Sequence, residues 1–189
     1  TDDQIEQHEK SLPTDYPHFM GVTYPSDERA IRSLIVKMVR RACDQGLMIS
    51  SYGTVSVRWR GNDFLITPPG VPRWDIEPGN IVQVKNGMVE AGKIPSRSVA
   101  LHQEIYQSHP EINSIIITQL KDPPIIPFGV QYEDNKKISD TLKSVPAVLL
   151  ANDSVLITGD GLLQTFDRLE VAEFSAKSLI MAAPIGELK

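Results

Sequence analysis

Apolar residues recur at helical spacing near both ends of the chain and alternate or run together between them, and this pattern predicts most of the elements. Ile31, Leu34, Ile35, Met38, Val39, Ala42 and Cys43 share one helical face. The predicted helix opens at Ser26 as N-cap, gains negative charge in its first turn from Asp27 and Glu28, and stops at Gly46. Thr54 to Trp59 alternates, with Val55, Val57 and Trp59 on one side, and reads as a half-buried strand. Gly61-Asn62 turns the chain into a second strand, Phe64 to Thr67, which Pro68-Pro69-Gly70 breaks. Asn80 to Lys85 and Met88 to Ala91 flank Asn86-Gly87, a residue pair suited to a tight hairpin turn.

Further on, Ser96 is placed to cap a helix running through His109, with Val99, Leu101, Ile105 and Tyr106 on its apolar face and Pro110 as its stop. Ile112 to Thr118 follows as a buried strand containing Ile115-Ile116-Ile117. Lys121 to Val130 is proline-rich and irregular, and Lys136 to Lys143 reads as a short helix. Val145 to Ala151 and Val155 to Thr158 read as strands, and a last amphipathic helix is expected from Asp167 to about Ala183. This order implies an α/β fold, a three-layer α/β/α sandwich around a mainly antiparallel sheet. Residues 1–25 carry Pro13, Pro17 and Pro25 without sustained periodicity and are expected to form an extended arm or linker ahead of one domain, 26–189. Tyr16, Phe19 and Tyr24 offer the alternative that the arm docks on a neighbouring surface.

Charge and composition narrow the function classes. Among 189 residues, 19 basic against 24 acidic side chains give −5, which argues against nucleic acid or an anionic membrane as a partner held by bulk electrostatics. No apolar run approaches the roughly 20 residues that span a bilayer, and Thr1 to Lys10 is too polar for a secretory leader. The single Cys43 excludes an internal disulfide and fits a reducing compartment, so the cytoplasm is the expected location. Its place on the apolar stripe predicts a buried, inert thiol.

Several short motifs, in order, resemble the class II aldolase/adducin family across residues 28–183. Gly53-Thr54-Val55-Ser56-Val57-Arg58 is similar to the family's Gly-Asn-x-Ser-x-Arg, and Leu65-Ile66-Thr67-Pro68-Pro69-Gly70 to its Ile-Thr-Pro-(Ser/Thr)-Gly turn. Gly92-Lys93-Ile94-Pro95-Ser96 with Leu101-His102 resembles its Pro-Ser-Ser-Glu loop and helix. Ile105-Tyr106 and His109-Pro110-Glu111-Ile112-Asn113 resemble the helix end and the approach to the metal-binding strand. The resemblance implies an aldolase-like fold, zinc held by three histidines, a glutamate that moves a proton, and a site for a sugar phosphate.

Against that pattern, the chemical positions have changed. The glutamate position holds Ser98, whose unassisted hydroxyl is no general base near neutral pH. The strand histidine positions hold Ile117 and Gln119, and the third histidine position is matched to Asp160 before Gly161. The sequence therefore predicts no catalytic residue of the family's kind, no metal site and no cofactor, since zinc's ligands are absent. His8 and His18 fall in the arm, and His102 and His109 on or at the end of a helix. The anion-binding side is better kept: Thr54, Gly70, Ser96 and Arg97 are the candidate residues, with Arg97 beside a helix N-terminus suited to a phosphate or carboxylate. A solvated or interface salt bridge is the plainer role for Arg97. Trp59 and Trp74 are candidates for a subunit interface or for core packing.

Two readings follow. One is a domain without zinc-dependent aldolase activity that serves assembly, as a homo-oligomer or paired with another aldolase-like domain, or binds a small anion. The other is a sugar-phosphate lyase, epimerase or aldolase, or a decarboxylase-like enzyme, with rewired chemistry that uses Asp160 and Arg97.

Overall fold

The central strands are apolar on both sides, so the sheet they form has to be covered on both faces. The computed structural model describes residues 16–19, 24–119, 131–132, 134–150 and 154–182, and every structural statement concerns these. Nine strands make one sheet: β1 (His18–Phe19), β2 (Thr54–Arg58), β3 (Phe64–Ile66), β4 (Val82–Lys85), β5 (Met88–Glu90), β6 (Ser114–Thr118), β7 (Gln131–Tyr132), β8 (Ala147–Leu150) and β9 (Val155–Gly159). Their order is β1-β5-β4-β3-β2-β6-β9-β8-β7. Only the outermost pairs, β1 with β5 and β7 with β8, are parallel; the rest are antiparallel.

Two apolar clusters show which helix covers which face. Helices α1 (Ser26–Asp44) and α4 (Leu162–Ala182) contribute Ile35, Val39, Phe166 and Leu169 to one cluster, which takes Val55, Leu65, Ile116 and Ile157 from the sheet. Helices α2 (Val99–Ser108) and α3 (Asn135–Thr141) contribute Leu101, Ile105 and Ile138 to the other, which takes Phe64, Ile66, Ile115 and Leu156. Neighbouring residues on one strand thus enter opposite clusters, as the period of two requires. The three-layer α/β/α arrangement expected from the sequence is present.

Several boundaries differ, each for a local reason. Strand β2 is not half-buried: Thr54 to Val57 are all buried, because α1 and α2 cover opposite faces. Ser26 lies inside α1, whose N-cap is Pro25, and it makes no capping bond. Ser96 does not cap α2, which opens at Val99 after Ser98, because its hydroxyl is engaged with Thr54 instead. Helix α4 begins at Leu162 rather than Asp167, since Leu162, Phe166 and Leu169 form its buried stripe and the Thr165 N–H already donates to Gly161 O. The hairpin turn holds, with Asn86 and Gly87 both left-handed (φ 50° and 72°). Cys43 is half-buried rather than buried, and burial raises its thiol pKa. The proline-rich stretch 121–130 lies outside the described residues. No described helix is long and apolar enough to cross a membrane.

A buried charge network ties α1 to the sheet edge. Arg32, 1 % exposed, donates to Glu28 (Nη2–Oε1 2.8 Å), to Glu90 (Nη2–Oε2 2.9 Å) and to Ile81 O. Lys93 reaches Glu90 Oε1 at 3.2 Å, so two carboxylates meet two cations. Burial alone would raise the Glu90 carboxyl, but hydrogen bonds from Tyr24 and Arg32 and the charges of Arg32 and Lys93 leave it lowered. Charges so placed stabilise little in net terms, yet removing one partner strands the other in the core. Arg32→Met is therefore expected to cost about 3 kcal/mol or more in urea unfolding followed by circular dichroism. A cost below about 1 kcal/mol would show that Glu28 and Glu90 are relieved some other way.

Candidate functional site

Strand register brings the candidate residues together. In the antiparallel β2–β6 pair Thr54 lies opposite Ile117, so the start of β2 meets the end of β6. Thr118 lies opposite Val155, which puts Ser154, at the entry to β9, beside the same end. The loop from β5 into α2 arrives there too, because the Thr54 and Ser96 hydroxyls lie 3.0 Å apart. A cavity of about 340 Å³ opens at this junction. Its walls include Gly53, Thr54, Pro69, Arg73, Ser96, Arg97, Ser98, Ile117, Gln119, Asn135 and Ser154.

Six of the eight residues singled out in the sequence thus share one cavity: Thr54, Ser96, Arg97, Ser98, Ile117 and Gln119. Gly70 does not line it; it is an exposed left-handed turn residue (φ 72°) beside Pro69, which does. Asp160 is separated from the rest, and matching it to the third ligand position is corrected. Gly159 pairs with Ser114, at the far end of β6 from Thr118, and Asp160 sits there with its carbonyl accepting from Asn113 Nδ2 at 3.0 Å. Its own N–H donates to Gln164 Oε1 at 2.8 Å, so it belongs to the turn that opens α4.

The chemistry of the walls is cationic and hydroxylic. Thr54 Oγ1, Ser96 Oγ and Ser98 Oγ form a chain with steps of 3.0 and 3.3 Å. Two bonds consume two of the three hydroxyl hydrogens, so one remains to donate into the cavity. Ala100 and Leu101 also line it, which turns the positive end of α2 toward any occupant. Arg97 is exposed. Arg73, which the sequence reading passed over, is 2 % exposed and donates only to carbonyls: Gly53 O (3.0 and 2.8 Å), Pro68 O (2.9 Å) and Val71 O (3.1 Å). It fastens the Gly53 turn to the Pro68–Pro69 turn. Burial pulls its guanidinium down to about 10, still charged at neutral pH. The only sign of its role in the sequence was a cation set among prolines and apolar residues between Pro68 and Ile76. Among the described lining residues there is no carboxylate and no histidine.

The donor set at the family's ligand positions does not suit zinc. Ile117 has no donor atom, and Gln119 and Ser98 offer only neutral oxygens or nitrogen. Among the described residues no three of His, Cys, Asp and Glu are grouped to hold a metal ion. The described histidines lie elsewhere. His18 is on the edge strand, and His109 is buried with Nε2 2.7 Å from Ser139 O. His102 is fully buried, its Nδ1 2.6 Å from Ser56 Oγ, which in turn lies 2.7 Å from the Tyr106 hydroxyl. His102 Nε2 has no partner, and burial pushes its pKa down to about 3.

Residues 33–122 match the profile of the Class II Aldolase and Adducin N-terminal domain. The chain is 27 % identical over 181 residues to a 3-oxo-tetronate 4-phosphate decarboxylase of Haemophilus influenzae, with 78 % of this chain and 86 % of that protein covered. It is 36 % identical over 89 residues to L-fuculose phosphate aldolase of Escherichia coli strain K12, which covers 47 % of this chain and 39 % of that enzyme. Among solved structures, an L-fuculose 1-phosphate aldolase superposes with a TM-score of 0.73 at 24 % identity, with 87 % of this chain and 90 % of that one covered.

Two outcomes follow from the geometry. Arg73→Gln leaves Gly53 O and Pro68 O short of donors and is expected to cost about 2–3 kcal/mol, whereas Arg97→Ala, on the surface, should stay within about 0.5 kcal/mol in the same chemical denaturation. His102 binds no proton in the folded protein until well below its unfolded value near 6.5, so the unfolded chain takes up the extra proton in between. Stability is therefore fully present above about pH 6.5 and falls as the pH drops toward 3, by about 2 kcal/mol between pH 7 and pH 5. Urea midpoints across that range should show the slope, and His102→Phe should flatten it.

Proposed function

Because the chain belongs to the class II aldolase/adducin family, we propose that it is a domain of that scaffold without zinc-dependent aldol chemistry, one that binds a small phosphate- or carboxylate-bearing molecule in the cavity between β2, β6 and α2. The observation that carries this reading is the cavity wall: Arg73, Arg97, three linked hydroxyls and a helix N-terminus, with no carboxylate among the described lining residues. Such described residues favour an anion. Ile117 removes a ligand and Ser98 removes the base, so the polarising metal and the proton carrier of the family's reaction both lack their residues. Assembly belongs to the same proposal. Ile49, Tyr52 and Trp74 are each more than half exposed, Tyr52 at the cavity itself, and a second copy or another aldolase-like domain would cover them. Trp59, by contrast, is half-buried and donates to Asp27 Oδ2 at 3.0 Å.

A second reading, a lyase or decarboxylase with rewired chemistry, is favoured by the similarity to a 3-oxo-tetronate 4-phosphate decarboxylase along most of the chain. Asp160 has no part in it, since it lies at the other end of β9 from the cavity. Any such chemistry would have to use the cavity's own groups.

Elemental analysis of the purified protein should find zinc well below one equivalent, and ketose phosphates should not be cleaved with or without added metal. Stoichiometric zinc, or saturable metal-dependent cleavage, would sink the proposal, and release of carbon dioxide from a phosphorylated 3-oxo acid would install the second reading in its place. Inorganic phosphate should raise the melting temperature of the wild type and raise that of Arg97→Ala less. Equal shifts in both, or none in either, would remove the anion site. Light scattering should give a mass above that of one chain.

A further inference from the structure

The loop that carries Ser96, Arg97 and Ser98 joins β5 to α2, and the N-terminal segment grips the chain on both sides of it. On the β5 side, the Val89 N–H donates to Pro17 O at 2.6 Å and the Ala91 N–H to Phe19 O at 2.7 Å. His18 Nε2 donates to the Lys93 carbonyl at 3.1 Å, one residue before the loop. Lys93 Nζ donates to the Tyr24 hydroxyl at 3.0 Å, and that hydroxyl donates to Glu90. On the α2 side, the Tyr16 hydroxyl donates to Gln103, and the Tyr16 ring packs against the cluster between the sheet and α2. Two residues at the rim of the sheet add little to its core. With Tyr16 and Tyr24, their contacts instead bracket one short segment, 94–98, from both ends.

That segment needs support from outside. Pro95 and Ser96 are buried, but Ile94 and Arg97 are exposed and Ser98 is only half-buried, so packing alone holds it weakly. A loop that must present a cation and two hydroxyls in one geometry binds more tightly when its ends are already fixed, because less freedom is lost on binding.

We propose that residues 16–19, together with Tyr24, are the positioning element of this loop: they hold 94–98 in the shape in which Ser96, Arg97 and Ser98 line the cavity, so that releasing the segment loosens the loop and weakens anion binding. The ligand half of this inference rests on the anion-binding reading above; the loop half rests on the contacts alone.

The full chain carrying Tyr16→Ala and His18→Ala loses the side-chain grips on Gln103 and on the Lys93 carbonyl, keeps that of Tyr24, and leaves every lining residue in place. In amide hydrogen exchange, the N–H groups of residues 94 and 96–98 should exchange about tenfold faster than in the wild type, with those of β2 and β6 unchanged. The dissociation constant for inorganic phosphate, measured by calorimetry, should rise about fivefold or more. Unchanged exchange at 94–98, or faster exchange with unaltered phosphate affinity, overturns the proposal. If the wild type binds no phosphate, the anion-site reading fails by itself and the exchange at 94–98 still decides whether the segment positions the loop. Should β2 and β6 also accelerate in the double variant, Tyr16→Phe, which keeps the ring and loses only the bond to Gln103, is read by the same criteria.

Discussion

The register between β2 and β6 is the constraint on which the rest of the molecule depends. Thr54 opposite Ile117 and Ser56 opposite Ile115 place one set of side chains under α2 and the alternate set, Val55 and Ile116, under α1 and α4. A slip of one residue would exchange the two sets and send the Ser56 hydroxyl away from His102 and Tyr106, leaving polar groups without partners in an apolar cluster. The same register makes the start of β2 and the end of β6 coincide, and the cavity exists because both loops open there. Core and site are fixed by one set of backbone hydrogen bonds.

Arginine does the joining between elements. Arg58 donates to the carbonyls of Tyr106, His109 and Ile112 and so sits at the C-terminal end of α2, where the exposed carbonyls favour a cation. Arg32 binds two carboxylates at the sheet edge. Arg73 differs from both: its recorded partners are carbonyls alone, and it lines the cavity. Carbonyl dipoles satisfy its hydrogens and leave it a full charge, so among the described residues it adds a cation to the cavity wall. The clamp that shapes the Gly53 and Pro68 turns also sets the sign of what those turns can receive.

The histidines show how far residue type is from role. Four occur in the chain, and the three described all take structural places: His18 on the edge strand, His102 between β2 and α2, His109 against α3. His102 is held neutral by burial and its Nδ1 is engaged with Ser56, so it serves as a hydrogen-bond strut between β2 and α2. The class II aldolase fold is present, with Ile117, Gln119 and Ser98 in the wall of its cavity.

The sequence by itself determined the layers, most of the strands and the side-chain types at Ser98, Ile117 and Gln119. Alternation and helical spacing are local patterns of burial, and an isoleucine lacks a ligand atom in any fold. Asn86-Gly87 located its hairpin because the left-handed turn is a property of those residues alone. What the sequence misjudged depended on distant partners. Ser96 bonds to Thr54 instead of capping a helix, Asp160 falls at the wrong end of β9, and α4 starts early because Leu162 and Phe166 find a buried face. The sequence around Arg73 and Tyr16 gives only a cation among prolines and an aromatic fit to dock, and not their partners, since Arg73 acts on carbonyls fixed by two turns and Tyr16 on a helix 87 positions away. Tertiary structure alone decided these, because hydrogen bonds and charges act through space, and which groups meet is settled only when the sheet has closed.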